Sequence, residues 1–141
     1  MTIQNEELAK EIQGLKSTNN LFAWVIDDIL EDTEGYRGTE IEQLESRLSE
    51  ILEHGCISGT VSSLVYYSDT KKFYEEHKED INALLYENME ECGVYELNSL
   101  FGDKFDKEDP LCIDTTNQNL LAWFGYEEVT RKLMYIVNPE Y

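Results

Sequence analysis

The stretch Thr39-Glu40-Ile41-Glu42-Gln43-Leu44-Glu45-Ser46-Arg47-Leu48-Ser49-Glu50-Ile51-Leu52-Glu53-His54-Gly55 decides the fold class. Ile41, Leu44, Leu48, Ile51 and Leu52 recur at threes and fours, the spacing that gathers side chains on one face of an α-helix. Thr39 followed three residues later by Glu42 is a capping box, in which the hydroxyl serves a free backbone N–H and the carboxylate reaches back. Gly55 stands where a residue tolerant of positive φ ends a helix. The spacing predicts a helix over 40–54, buried along one stripe.

The same periodicity extends outward in both directions. Leu8, Ile12 and Leu15 predict a short helix over 4–15, weakened at its end by Gly14 and followed by the cap-forming run Ser17, Thr18, Asn19 and Asn20. Residues 20–32 predict a second helix, with Leu21, Trp24, Val25, Asp28 and Ile29 near one face, Phe22 and Leu30 widening it, and an end near Gly35. Residues 56–67 fit a helix through Val61, Leu64 and Val65, or a short strand at Val65-Tyr66-Tyr67; helix is preferred because nothing nearby offers a strand partner. Asp69 or Thr70 caps the next pattern, 71–92, in which Phe73, His77, Ile81, Leu84, Leu85, Met89 and Cys92 recur until Gly93, a span of about 33 Å.

One or two further turns over 95–101 close at Gly102, and 102–113 is a polar connection in which Pro110 pushes Asp109 out of helical geometry. A helix begins at 114–116, carries Leu120, Leu121 and Phe124, and stops at Gly125. Glu127 and Glu128 then open a last helix with Val129, Leu133, Ile136 and Val137 inward, acid suiting the positive end of its dipole. Pro110 and Pro139 are the only prolines, so no proline breaks the chain before residue 110. The expectation is an all-α fold, a single compact domain of six to eight helices over 1–141. Its parts are acidic N-terminal helices over 1–54, a middle segment over 55–128, and the end of the last helix with a tail over 129–141.

The 141 residues hold 30 Asp and Glu against 11 Lys and Arg, a formal net charge of −19. A small soluble domain is well served by a net charge of about 2–8 in magnitude. The excess argues against docking on phosphate backbones or anionic membranes, which call for Lys and Arg, and favours a basic partner. Hydrophobic residues make up 41% and aromatics 11%, too apolar for a charge-solvated disordered chain. No apolar run approaches the ~20 residues of a membrane span, and the acidic start lacks the pattern of a secretory signal. Cys56, Cys92 and Cys112 have no tight spacing, which suits a reducing compartment, and cytoplasm is the expected location.

The charge is concentrated. Residues 27–53 hold ten acidic residues against Arg37 and Arg47, a local net of −8, and residues 75–96 hold eight against Lys78, a local net of −7. Carboxylates at that density on helices offer a field like that of phosphates, one charge per ~1.7 Å of duplex axis. A solvated helix face accounts for any one such run as well. The candidate partner-binding residues are Asp27, Asp28, Glu31 and Asp32 in the first run and Glu76, Asp80, Glu87 and Glu90 in the second. Tyr67 and Tyr74 join them as aromatic anchors, since tyrosine supplies hot spots at protein interfaces.

Other chemistry has thinner support. Asp103, Asp106, Glu108 and Asp109, with Asp114 beyond, offer oxygens but not the spacing of a calcium loop, and no Cys-x-x-Cys pair suggests zinc. No metal or cofactor is expected. An enzyme would use Cys56 as nucleophile beside Ser58-Gly59 and His77 as its base; a small core cysteine and a histidine at the edge of the apolar stripe explain the same residues. Ser68-Asp69-Thr70-Lys71 matches Ser-x-x-Lys, but it is a lone match and a helix cap explains the same residues better.

Two strings look familiar. One is Gly55-Cys56-Ile57-Ser58-Gly59-Thr60-Val61, continuing through Leu64-Val65-Tyr66-Tyr67-Ser68-Asp69-Thr70 and Phe73-Tyr74 to His77. The other is Leu120-Leu121-Ala122-Trp123-Phe124-Gly125-Tyr126-Glu127-Glu128. Together they resemble a family of small acidic proteins of unknown function carried by bacteriophages and other mobile elements. With the helix between them the strings cover 55–128. The resemblance brings no catalytic residues. It implies a context: such proteins often inhibit host defence by binding restriction or CRISPR machinery at surfaces meant for nucleic acid. The expectation is a phage-encoded, non-enzymatic inhibitor of a nucleic-acid-targeting defence complex, anti-CRISPR or anti-restriction. Its partner would be a basic protein surface, with no direct nucleic-acid or membrane contact. A Cys56–His77 hydrolase or nuclease, and a phage structural or assembly adaptor, are the alternatives.

Overall fold

The computed structural model describes the backbone of residues 2–31, 33, 35–54, 67–101 and 115–141, and the side chains of these except at 54, 67–69, 88–101 and 115–120. Five helices form among them: α1 (Glu6–Lys16), α2 (Asn20–Glu31), α3 (Glu40–His54), α4 (Tyr67–Phe101) and α5 (Thr115–Val137). The all-helical class is as the periodicity predicts; the helix count is lower than six to eight.

Capping follows the local sequence. Asn5 Oδ1 accepts from Leu8 N at 3.2 Å and starts α1, and Asn19 Oδ1 accepts from Phe22 N at 2.8 Å and starts α2. Thr39 Oγ1 accepts from Glu42 N at 3.2 Å, as the capping box predicts, but Glu42 takes the Thr39 hydroxyl proton at 3.1 Å rather than a backbone N–H. Gly38 makes this turn possible: its φ is +100°, and a Cβ there would meet Glu42 Oε2 at 2.9 Å.

The core is a shared cluster. Leu8 and Ile12 of α1, Leu21, Val25, Ile26 and Ile29 of α2, and Leu44, Leu48 and Ile51 of α3 are buried in it. They meet Phe73, Ile81 and Leu85 of α4 and Leu121, Phe124, Val129 and Leu133 of α5. Helix α5 packs against each of the other four, so it is the central column on which they assemble.

Two glycines predicted to end helices do not. Helix α4 runs through Gly93 as one element of 35 residues, about 52 Å long, and α5 runs through Gly125 as one element of 23 residues. A lone interior glycine costs a helix only about 1 kcal/mol, and no proline accompanies either one. Gly125 has a packing reason to be there: a Cβ would stand 2.8 Å from Ile81 Cγ1, so the absent side chain lets α4 and α5 approach. Helix α4 also starts before the predicted cap. Thr70 is buried inside it rather than heading it. The helix predicted over 56–67 lies almost wholly outside the described residues, as does the connection 102–113.

Candidate interaction surface

The acidic side chains divide into those that tie helices together and those that face solvent. On α2, Asp28 is half-buried and accepts from the Tyr126 hydroxyl at 2.6 Å, joining α2 to α5. Asp27, exposed, pairs with Lys16 Nζ at 2.6 Å. Glu31 is exposed and makes no hydrogen bond or ion pair with a described residue. Asp32 lies outside the described residues.

On α4, Asp80 is half-buried, and its Oδ2 lies 3.4 Å from Leu21 N, at the open N-terminus of α2. Glu76 is exposed with Lys72 at 4.0 Å, and Glu87 is exposed with Lys132 at 3.8 Å. Exposed pairs of this kind contribute little to stability and yield readily to a competing partner. Glu90 and Tyr67 belong to α4 by backbone, but their side chains are outside the described set.

Tyr74 corrects an expectation. Its ring is 5% exposed, with its hydroxyl 3.5 Å from Asn82 Oδ1, and burial pushes the phenol pKa above its ordinary value. The periodicity that puts Phe73 inside also brings Tyr74 inside, because α4 is covered on two sides by α2 and α5. A ring in that position is core rather than contact surface.

The structure also gathers acids that were counted in the first charge run but not singled out. Glu42, Glu45, Ser46, Ser49, Glu50 and Glu53 line an open groove of about 460 Å³ along α3. Within it Glu50 accepts from the Tyr36 hydroxyl, and Glu45 accepts from Asn138 Nδ2 at 3.2 Å. Burial raises the Tyr36 pKa, and the Glu50 hydrogen bond adds to the rise. On α4, Glu75, Glu76, Glu79 and Asp80 line a second depression with Asn20 of α2, about 410 Å³ in volume.

One family model, described as a domain of unknown function (DUF7222), matches residues 6–138. The chain belongs to the DUF7222 family. The matched span takes in residues 6–54 together with 55–128, so the acidic N-terminal helices and the segment bearing the two strings form one family unit. No curated protein and no solved structure matches the chain.

Among the described residues of this DUF7222 domain, no three His, Cys, Asp or Glu side chains converge to hold a metal ion. The acidic loop at 103–109 lies outside them, as does Cys56. His77 is 8% exposed. Its ring lies against Phe73 at 5.0 Å and Trp24 at 5.9 Å between centroids, and neither ring nitrogen has a hydrogen-bond partner. Burial lowers its pKa, opposed by the nearby Glu76 and Asp80 carboxylates. No described helix is long and apolar enough to cross a membrane.

The α3 groove had a signal in the sequence: its polar residues recur at i, i+3, i+4, i+7, i+8 and i+11 from Glu42, which marks one helix face. The structural duties of Asp28 and Asp80 had none, because their partners stand 98 and 59 residues away in the chain.

Proposed function

We propose that this DUF7222 domain is a non-enzymatic, phage-encoded inhibitor of a bacterial nucleic-acid-targeting defence complex, of the anti-CRISPR or anti-restriction kind. It acts by laying acidic helix faces into a basic groove and excluding DNA or RNA. One observation carries the reading: exposed carboxylates on packed helices, such as Glu31, Glu53, Glu75 and Glu79, that no described residue engages. With a net charge of −19, such a surface is steered toward Lys- and Arg-lined grooves and away from nucleic acid itself. Asp27, Glu76 and Glu87 add to it by exchanging their lysines for the partner's cations. Asp28 and Asp80 serve the fold, and the contact surface does not include Tyr74.

Competition is the test. A purified restriction or CRISPR complex is titrated with the protein in the presence of labelled nucleic acid. Displacement that weakens as salt rises, and that fails in Glu31→Lys combined with Glu75→Lys and Glu79→Lys, supports the proposal. Unaltered nuclease activity, or displacement that the triple reversal leaves intact, refutes it.

A further inference from the structure

The aromatic side of α4 and its acidic side meet at His77. The His77 ring is tilted by 50° against Phe73 and by 56° against Trp24 of α2. Those two rings stand 4.9 Å apart, and Tyr126 of α5 lies 6.5 Å from Trp24 and 6.4 Å from Phe73. Three helices thus contribute to one ring cluster. The same histidine also borders the depression of about 410 Å³ that Glu75, Glu76, Glu79 and Asp80 form with Lys78 and Asn20.

The two environments suit different protonation states. The cluster offers the buried ring nothing to bond, since neither Nδ1 nor Nε2 has a hydrogen-bond partner. A neutral imidazole leaves one N–H unmet there, whereas an imidazolium would leave two and bring a charge with them. Apolar surroundings tolerate the first far better than the second. Among the described residues, the charged groups that act on the ring are two carboxylates of its own helix, Glu76 and Asp80. Helix α2 meets it with Trp24 and, at the depression, with Asn20. Helix α5 adds Tyr126 to the cluster, and that hydroxyl donates to Asp28 of α2.

We infer that His77 is an acid-operated switch: the neutral ring stays in the aromatic cluster, and the protonated ring turns out into the depression, where Glu76 and Asp80 receive it. The movement is a change of side-chain rotamer. A helical residue has two open χ1 wells, so α4 need not unwind. Trp24 then loses a ring neighbour and becomes wetter, and the acidic face of α4 gains one positive charge. The switch does not depend on what that face binds.

The test is an NMR titration of the full chain carrying His54→Gln, which leaves His77 as its one histidine, from about pH 8 to about pH 5. Far-UV circular dichroism is followed in parallel. In the neutral form the ring-proton signals should be displaced by ring currents from Trp24 and Phe73. On protonation they should move to the ordinary positions of an exposed imidazolium, and the nuclear Overhauser contacts to both rings should vanish while the helical spectrum persists. The parent chain, with a second histidine signal, should show the same movement. In Trp123→Phe, where Trp24 is the one tryptophan, emission should shift to the red with the same midpoint. Glu76→Gln with Asp80→Asn removes both charges yet keeps an amide oxygen for Leu21 N, and should lower that midpoint by about one pH unit. Ring contacts that persist after protonation, held by cation–π attraction, overturn the proposal. So do a ring still neutral at the acid end, protonation that occurs only with loss of the helical signal, and a midpoint that the double variant leaves unchanged.

Discussion

Gly125→Ala tests why α4 and α5 pack as closely as they do. In an unobstructed helix interior this change stabilises by about 1 kcal/mol, because alanine loses less backbone freedom on folding. Here the new methyl would stand 2.8 Å from Ile81 Cγ1, 3.4 Å from Cδ1 and 3.6 Å from Cβ. The nearest approach is roughly 0.7–1.2 Å short of an ordinary carbon–carbon contact. Ile81 is fully buried, and a β-branched side chain in a helix has one strongly preferred χ1, so it has little room to turn aside. Overpacking of that kind costs about 1–3 kcal/mol. The net expectation is a loss averaging about 1 kcal/mol, or a fall of about 4 °C in melting temperature.

The decisive measurement is a double-mutant cycle with Ile81→Ala, by urea unfolding followed with far-UV circular dichroism. Ile81→Ala alone costs about 2–5 kcal/mol. In that background the obstruction is gone, and Gly125→Ala should stabilise by about 1 kcal/mol. The coupling between the two sites is then about 1–3 kcal/mol. If Gly125→Ala stabilises the parent protein, and the two changes add to within about 0.5 kcal/mol, the glycine is not there for the helix contact and the reasoning fails.

Three further outcomes follow from the same geometry. Burial lowers the His77 pKa from its ordinary 6.5, so the unfolded chain takes up this proton before the folded one as pH falls through the region around 6.5. The unfolded state then binds the extra proton, and stability should decline between about pH 7 and pH 5 by more in the parent than in His77→Phe, as equilibrium unfolding at the two pH values would show. Tyr126→Phe removes the 2.6 Å donation to the half-buried Asp28 and should cost about 1.5–3 kcal/mol by denaturant unfolding, against little change for Tyr86→Phe at an exposed site. Thr39→Ala loses the oxygen that accepts from Glu42 N and should cost about 1 kcal/mol, whereas Thr39→Ser should be close to neutral.

Helix α3 shows how far periodicity and capping reach. Its range, 40–54, its cap and its buried Leu44, Leu48 and Ile51 follow from spacing alone, because every interaction that defines it lies within a few residues. Helices α1 and α2 are nearly as legible, for the same reason. The ends of α4 and α5 were not. Glycine reads as a stop when only the chain is considered, and as a contact when the neighbouring helix is present. Gly125 belongs to the second case, and only Ile81, 44 positions away in the chain, reveals it.

The candidate surface divides in the same way. Composition and spacing alone determine that the protein is helical, strongly acidic, and acidic along identifiable helix faces, since these follow from residue types and the 3.6-residue turn. The tertiary structure alone decides which carboxylates remain available. Asp80 turns toward the end of α2, Asp28 is taken by Tyr126, and Tyr74 goes inside, while Glu31, Glu75 and Glu79 stay in solvent. The reason is physical: a carboxylate's charge is set by its own chemistry, but whether it faces water or a hydrogen-bond donor is set by residues that only folding brings beside it.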